Sequence, residues 1–309
     1  MHKARQTTDS LLMIRPANCG FNLQTAASNS FQKQPEKLSA EEIKAQAVKE
    51  FDNLVKLLRR HDINIIVVED TPAPAKPDAV FPNNWVSFHH DGTVFLYPML
   101  SEKRNTERRA DIIENLKQHF QIRETVELSN GENQILEGTG SMVCDHANKI
   151  IYACLSPRTD KILLEKFSSL IGYEPITFVC LDAAGAEIYH TNVVMCVGEK
   201  LAIICLDTIK NFTERNLVRE TLIKTNHEIM EITLEQMNQF AGNMLEVRNN
   251  QGKNYLLMSA SAHESLNENQ LKQIQKYAEI LSADIKTIEA VGGGSVRCML
   301  AEIFCEKRN

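Results

Sequence analysis

The stretch WVSFHHDGTVFLYP (residues 85–98) decides the fold, because it reads as a β-hairpin whose pattern recurs along the chain. Two runs of aromatic and β-branched residues flank Asp91-Gly92, a dipeptide favoured in tight hairpin turns. A helical pattern over residues 106–120 and a strand pattern over residues 123–128 come after the hairpin. Residues 85–128 therefore predict a unit of strand, strand, helix and strand.

The same order of elements recurs at nearly constant spacing. At intervals of 57, 49, 53 and 53 residues, first strands are predicted to open at Asn84, Ser141, His190, Asn243 and Val296. The last unit is incomplete, while a strand at residues 11–15, a helix from Ser39 and a strand at residues 63–68 precede the first unit. A period of this length is typical of repeat arrays. We therefore expect one domain over residues 1–309, a five-bladed α/β propeller of ββαβ modules with pseudo-five-fold symmetry, in which the two termini complete one module.

Composition restricts the class of partner. The net charge of −6 argues against nucleic acid, because phosphate contacts need clustered Lys and Arg. No window approaches the length of a membrane span, and the apolar run at residues 11–14 is too short for a signal peptide. Eight cysteines without a CxxC pair indicate reduced thiols. We expect a cytoplasmic protein with a small-molecule partner, and the sequence leaves the oligomeric state open.

In a ring of repeats, the ends of the first strands meet around one central cavity. The chemistry-bearing residues near these ends are Asp78, Asn84, Glu137, His190, Asn243 and Cys298. A cysteine, a histidine and a carboxylate together are the working groups of a thiol nucleophile, with Cys298 preceded by a glycine-rich run. Taken singly, each has a structural interpretation: a buried strand cysteine, a core histidine and a solvated turn glutamate. Their shared position in the repeat favours the catalytic interpretation.

Metal and nucleotide sites are not expected. The pairs His89-His90, Asp145-His146 and His263-Glu264 lack a second spaced set of ligands. The run AVGGGS (residues 290–295) lacks the Lys-Ser/Thr of a phosphate loop and precedes a predicted strand. The predicted chemistry therefore uses no cofactor.

Six motifs resemble those of the arginine deiminase and dimethylarginine dimethylaminohydrolase superfamily of guanidine-modifying enzymes. The resemblance covers nearly the whole chain, from Met13 to Phe304, and is strongest to the citrulline-utilisation hydrolase branch, which is related to the amidinotransferases. The motifs are PDAVFPNNWVSFH, LEGTGSMV, LSPRTD, YHTNVVM, LLMSASAHESL and GGGSVRCMLAEIF. The resemblance implies the pentein fold, a five-fold pseudo-symmetric propeller.

The resemblance also implies roles for individual residues. It places the catalytic cysteine, histidine and glutamate on Cys298, His190 and Glu137. It puts Asp78 at the reacting group of the substrate, and the arginines Arg158 and Arg104 are expected to anchor the substrate. Arginine suits a carboxylate because its planar fork donates two parallel hydrogen bonds.

Two departures from the superfamily pattern bear on the substrate. Asn83 and Asn84 stand where the superfamily carries an acidic pair, and Glu137-Gly138-Thr139-Gly140 stands where it carries Glu-Gly-Gly-Asp. A guanidinium offers only donors and favours ionised acceptors, whereas a neutral ureido group also has a carbonyl that accepts. We expect a ureido substrate, with citrulline converted to ornithine, ammonia and carbon dioxide. Asn83, Asn84 and Asn243 are expected at the substrate, with only one of the adjacent Asn83 and Asn84 facing it if both lie on a strand.

Other activities remain open on the sequence alone. If arginine or a methylated arginine were the substrate, the same groups would give deiminase or dimethylaminohydrolase activity. An amine acceptor would make the protein an amidinotransferase. A propeller that binds a partner without catalysis is a different class, against which the joint presence of Cys298, His190 and Glu137 argues.

Overall fold

The protein has an α/β fold, described by a computed structural model at residues 5–35, 38–128 and 134–308. Within these residues the strands form five three-stranded sheets. In each sheet the middle strand is antiparallel to one neighbour and parallel to the other. The α/β class expected from the sequence is thereby confirmed. No helix in the described ranges is long and apolar enough to cross a membrane.

The strands follow one another in the order of the predicted units. The fifteen strands of the described chain are β1 (Ser10–Arg15), β2 (Asn64–Glu69), β3 (Val86–Phe88), β4 (Thr93–Leu96), β5 (Glu124–Glu127), β6 (Met142–Asp145), β7 (Ile150–Cys154), β8 (Glu174–Phe178), β9 (Met195–Val197), β10 (Leu201–Ile204), β11 (Glu228–Glu231), β12 (Leu245–Arg248), β13 (Asn254–Ser259), β14 (Glu279–Ala283) and β15 (Ala301–Glu302). Their sheets are β15-β1-β2, β3-β4-β5, β6-β7-β8, β9-β10-β11 and β12-β13-β14.

Helices connect the middle strand of each sheet to the parallel third strand. The α-helices of the described chain are α1 (Leu23–Ala26), α2 (Ala40–Arg60), α3 (Ala110–Leu116), α4 (Gly138–Ser141), α5 (Lys161–Ile171), α6 (Thr191–Val194), α7 (Phe212–Lys224), α8 (Leu234–Asn238), α9 (Ala260–Ser265), α10 (Glu268–Gln275) and α11 (Lys286–Gly292). Short 3-10 helices lie at Pro82–Asn84, Glu102–Glu107, Leu206–Thr208 and Val296–Met299.

Local sequence explains why these elements form. The longest helix, α2, begins at the predicted capping box, in which Ser39 and Glu42 satisfy each other's backbone N–H groups. Its buried face packs against the sheet of β1 and β2, between which it forms the crossover of a parallel pair. The C-terminal strand β15 pairs antiparallel with β1, with Leu11 opposite Glu302. The sheet at the N-terminus therefore contains strands from both ends of the chain.

The residues predicted to open the first strands lie just before those strands. Asn84 ends a 3-10 helix that Pro82 favours by fixing its φ angle, and His190 is the N-cap of α6. Cys298 lies in the 3-10 helix Val296–Met299 and not in a strand. Asn84, His190 and Cys298 are thus each placed close to the start of a strand by a single tight turn.

These one-turn segments contact one another. The α4 turn lies against Pro82–Asn84 on one side and against α6 on the other. Pro82–Asn84 also contacts the turn Val296–Met299. Segments from four parts of the sequence therefore meet at one place, although they are far apart along the chain. This meeting point holds the candidate site.

Candidate active site

A narrow cleft with about 20 Å³ of free volume opens where the one-turn segments meet. It combines apolar walls with several charged groups, as small-molecule sites usually do. Its lining residues are Thr25, Asn29, Asp78, Phe81, Asn84, Arg104, Arg158, Tyr189, His190, Gly292, Gly294 and Cys298. Six of the residues singled out from the sequence therefore share one cavity.

Cys298 presents its thiol at the end of the glycine-rich turn. The side chain is 3% exposed, and its Sγ lies 3.3 Å from the amide nitrogens of both Asn192 and Asn243. A Cβ atom at Gly294 would stand only 3.2 Å from this Sγ, so a side chain there would crowd the thiol. The turn thus leaves the sulfur accessible from the cleft side while amides surround it on the other.

His190 is oriented by Glu137. The ring Nε2 lies 2.9 Å from Glu137 Oε2, and both side chains are almost fully buried. Burial lowers the pKa of His190 to about 4, although the adjacent carboxylate acts in the opposite direction. The ring is therefore neutral at pH 7, and Nε2–H donates to Glu137. A base held by a buried carboxylate is the arrangement that orients histidine in hydrolases with a nucleophilic side chain.

Two arginines share the same carboxylate. Arg158 Nη1 lies 3.4 Å and Arg104 Nη1 lies 3.7 Å from Glu137 Oε2. Burial acts to raise the pKa of Glu137, but Arg158, His190 and Arg104 outweigh it and hold this pKa well below its usual range. Glu137 consequently stays ionised at every pH at which the protein would work.

Arg104 is held in place by a second acidic residue. Glu107 receives Arg104 Nε at 3.0 Å and Nη2 at 2.9 Å, a two-pronged contact that fixes the plane of the guanidinium. Burial raises the pKa of Glu107 to about 7, although Arg104 opposes this change. The remaining nitrogen, Nη1, donates to Asn84 Oδ1 at 2.9 Å. Glu107 thereby positions the contact between Arg104 and Asn84.

Asp78 is the carboxylate among the residues that line the cleft. Its Oδ2 accepts from Asn22 Nδ2 at 2.6 Å and from Thr25 Oγ1 at 3.3 Å. Its Oδ1 is buried and has no hydrogen-bond partner among the described residues. A buried carboxylate oxygen without a partner is costly, so it marks a position where a ligand would donate.

Arg158 faces the cleft from the other side. Its guanidinium stacks 4.9 Å from the centre of the Tyr189 ring. It also donates to Ser28 Oγ at 2.7 Å and to the carbonyl oxygen of Thr25 at 2.9 Å. The segment around α1 therefore covers Arg158 and contacts Asp78 as well.

Gly140 allows an unusually close approach between two cleft residues. A Cβ atom here would lie 2.3 Å from Asn84 Nδ2 and 2.6 Å from His190 Cε1, distances that real Cβ atoms do not show. The missing side chain therefore makes room for the Asn84 amide beside the His190 ring. Gly140 stands where the superfamily pattern carries Asp, and this glycine leaves the space that the Asn84 amide occupies.

Comparisons with known proteins fit this geometry. The sequence profile of the family described as N,N dimethylarginine dimethylhydrolase, eukaryotic, matches residues 15–305. The chain belongs to this dimethylarginine dimethylhydrolase family. It is a hydrolase that acts on C–N bonds, as the sequence motifs implied. No curated protein matches it by sequence.

The α/β fold of this protein matches the folds of several solved structures. The N-terminal domain of ArgZ, an arginine dihydrolase of cyanobacteria bound to its substrate, is 14% identical with a TM-score of 0.74, covering 96% of this chain and 98% of that one. AgrE with L-arginine is 16% identical with a TM-score of 0.74, covering 97% of this chain and 41% of that one. A dimethylarginine dimethylaminohydrolase adduct with S-methyl-L-thiocitrulline is 13% identical with a TM-score of 0.64, covering 96% and 99%.

Three residues that the sequence predicted at the site do not line the cleft. Glu137 is fully buried behind His190, and Asn243 lies behind Cys298. Asn83 is fully buried and follows Pro82 in a 3-10 helix, so the strand alternation expected for Asn83 and Asn84 does not apply. Of this adjacent pair, Asn84 is the one that lines the cleft.

Some residues that complete the site were not predicted from the sequence. Asn192 contacts Cys298, yet it stands only two residues after His190 in the motif YHTN. Glu107 could have been found from its spacing of three residues after Arg104, which places the two side chains together on a helical turn. Asn22, which holds Asp78, comes from a segment without any recognisable signal in the sequence.

Acid should destabilise this family member through His190. Its pKa of about 4 in the native state lies below the unfolded value of 6.5, so the unfolded chain binds a proton that the native state does not. Stability is therefore lost as the pH falls below 6.5, by roughly 2–3 kcal/mol between about pH 7.5 and pH 4.5. Urea unfolding at the two pH values should show that His190→Gln reduces the loss by about this amount. An unchanged loss in His190→Gln would contradict a buried neutral ring.

Proposed function

We propose that this protein hydrolyses the ureido group of an amino acid, with citrulline converted to ornithine, ammonia and carbon dioxide. The proposal is carried by the orientation of the Asn84 amide. Its Oδ1 accepts from Arg104, and its buried Nδ2 has no partner within the described part of the chain. The cleft therefore offers a free donor at this position.

The orientation of this amide is dictated by chemistry. A guanidinium can only donate, so Oδ1 must face Arg104 and Nδ2 must face away from it. A ureido oxygen accepts and would pair with this Nδ2, whereas a guanidinium in the same place would oppose donor to donor. The free acceptor Asp78 Oδ1 would take a ureido N–H. Arg158 would bind the carboxylate of the amino acid by exchanging its present bonds to Ser28 and Thr25 for two parallel hydrogen bonds.

The reaction would use Cys298 as nucleophile and His190 as the proton carrier. When substrate binds, the neutral ring accepts the thiol proton and becomes an imidazolium paired with Glu137. The thiolate attacks the ureido carbon, a C–N bond breaks, and the leaving nitrogen takes the proton from His190. A carbamoyl thioester remains on Cys298 if ornithine leaves first. Water, deprotonated by His190, releases carbamic acid, which decomposes to ammonia and carbon dioxide.

A guanidino substrate is the second candidate. The structurally similar ArgZ and AgrE were captured with substrate and with L-arginine, and the family is named for a dimethylated arginine. The carboxylates Asp78 and Glu137 in and behind the cleft favour a cation. With arginine the same groups would produce citrulline and ammonia. An amine acceptor in place of water would give an amidino transfer.

Contacts between neighbouring sheets support a closed arrangement of the five sheets. Sheet contacts link β15 to β3, β6 to β9 and β9 to β12, and the backbone of Arg248 at the end of β12 donates to Thr8 before β1. We infer that the five sheets surround one axis as a five-bladed propeller and that residues 1–309 are one domain closed by both termini. We place this enzyme in the cytoplasm, without a nucleic-acid or membrane partner.

The substrate test compares citrulline with arginine and methylated arginines in one assay. We expect ornithine and ammonia from citrulline. Asn84→Asp replaces the free donor by an acceptor, so its ratio of kcat/KM for citrulline over arginine should fall by roughly 10- to 100-fold. Asn84→Ala separates loss of the donor from gain of a charge. Asn83→Ala should keep the ratio of the unsubstituted protein.

Turnover of arginine in preference to citrulline would overturn the ureido proposal and leave the nucleophile intact. If neither compound reacts, the protein acts on another substrate or binds without catalysis. A ratio that does not change in Asn84→Asp would show that the Asn84 amide does not contact the reacting group.

A further inference from the structure

Two neutral amides meet at the sulfur of Cys298. Asn192 Nδ2 and Asn243 Nδ2 each lie 3.3 Å from Sγ, and both side chains are at most 1% exposed. We propose that this donor pair stabilises the Cys298 thiolate, and that Asn192 is a further catalytic residue because it touches the reacting atom. The inference rests on the proposed role of Cys298 as nucleophile.

The pair is fixed relative to the backbone. Asn243 Nδ2 also donates to the carbonyl oxygen of Asn192 at 2.8 Å. A carbonyl oxygen only accepts, so the amide of Asn243 must turn its nitrogen, and not its oxygen, toward this point and toward Sγ. The Asn243 oxygen is farther from the sulfur, at 3.7 Å. Two hydrogen bonds thus join the α6 turn, the Asn243 loop and the nucleophile.

Neutral donors matter at the Cys298 sulfur because the nearby charged side chains are paired with other groups. Arg158 is paired with Glu137, and the Tyr189 hydroxyl donates to the carbonyl oxygen of Gly293. His190 is neutral at pH 7, and Asp78 across the cleft is an anion that opposes a second negative charge. The direct contacts that favour a thiolate over a thiol are therefore those of the two amides. Hydrogen bonds to a charged acceptor are about twice as strong as neutral ones.

Two other charged residues near the glycine-rich turn, Arg297 and Glu289, do not contact the sulfur of Cys298. Arg297 follows the chain away from the cleft and pairs with Glu302 at 2.8 Å. Glu289 accepts from Ser295 at 2.6 Å and so holds the glycine-rich turn without contacting the sulfur. The sulfur therefore depends on amide donors from two other segments of the chain.

The test measures the thiol without any substrate. The rate of Cys298 alkylation by iodoacetamide is followed against pH, with the modified peptide quantified by mass spectrometry. Asn192→Ala and Asn243→Ala should each raise the midpoint of this profile by roughly one to two pH units. Asn192→Asp keeps the shape of the side chain and replaces the donor with an acceptor, so it should raise the midpoint further. In the variants, the acid limb of kcat/KM should move with the alkylation midpoint.

Asn249→Ala is the matched control. Asn249 is a buried asparagine outside the cleft lining, and its side chain accepts from the backbone N–H groups of Gln251 and Lys253. Its midpoint should remain that of the unsubstituted protein. Folded Asn192→Ala, Asn243→Ala and Asn192→Asp proteins that all keep the original midpoint would overturn the proposal. A shifted midpoint in a protein that does not hydrolyse citrulline supports the donor pair and overturns only the substrate.

Discussion

Cys298→Ala should abolish hydrolysis of the substrate, a loss of at least about four orders of magnitude in kcat. Among the lining residues Cys298 alone carries a thiol, which is a far stronger nucleophile near neutral pH than the hydroxyls of Thr25 and Tyr189. The cavity left by one sulfur atom is small, so the fold should persist. Ornithine release and the thermal unfolding midpoint, measured on the same preparation, test the two statements together.

Cys305→Ala is the control for loss of a buried thiol. Its sulfur lies near the carbonyl oxygen of His89, away from the cleft. Activity should remain within a few-fold of the unsubstituted protein. Mass spectrometry of acid-quenched protein during turnover should find a carbamoyl group on Cys298, or the same group with ornithine attached if ammonia leaves first. Substantial turnover by Cys298→Ala would exclude covalent catalysis through this residue.

The repeat could be predicted because each module repeats a local pattern. The hairpin around Asp91-Gly92 and the capping box at Ser39 have turn and cap signals that do not depend on tertiary contacts. The first strands were placed too early, because a segment of three residues such as Pro82–Asn84 is too short to show a helical period in the sequence. The distinction depends on contacts between turns that are distant in sequence.

The candidate site was predictable in its residue types and less so in its contacts. Cys298, His190 and Glu137 were found because catalysis by a thiol requires that combination. The contact of Asn192 with the sulfur depends on a turn of the backbone, and that of Glu107 with Arg104 depends on burial. The direction of the Asn84 amide is set by its partner Arg104 and cannot be read from either residue alone.

Glu137→Gln should lower kcat/KM by about 10²- to 10³-fold, and Glu137→Ala should lower it further. Glutamine retains the shape of the side chain and removes the charge that would stabilise an imidazolium at His190. Alanine also leaves Arg158 and Arg104 without their shared acceptor in a buried site. Loss of one partner from a buried ion pair costs about 3–5 kcal/mol, so Glu137→Ala should also unfold at lower urea concentration.

The control for this second effect is Glu302→Gln, which removes a largely buried carboxylate from an arginine. Glu302 pairs with Arg297 on the segment leaving the cleft, so its loss should lower stability while hydrolysis per folded molecule stays within a few-fold. Glu302→Gln should therefore lose stability and keep its activity, whereas Glu137→Ala should lose both. Equal activity in Glu137→Gln and the unsubstituted protein would show that His190 works without an ionised partner. The charge of Glu137 would then serve only to compensate the two arginines.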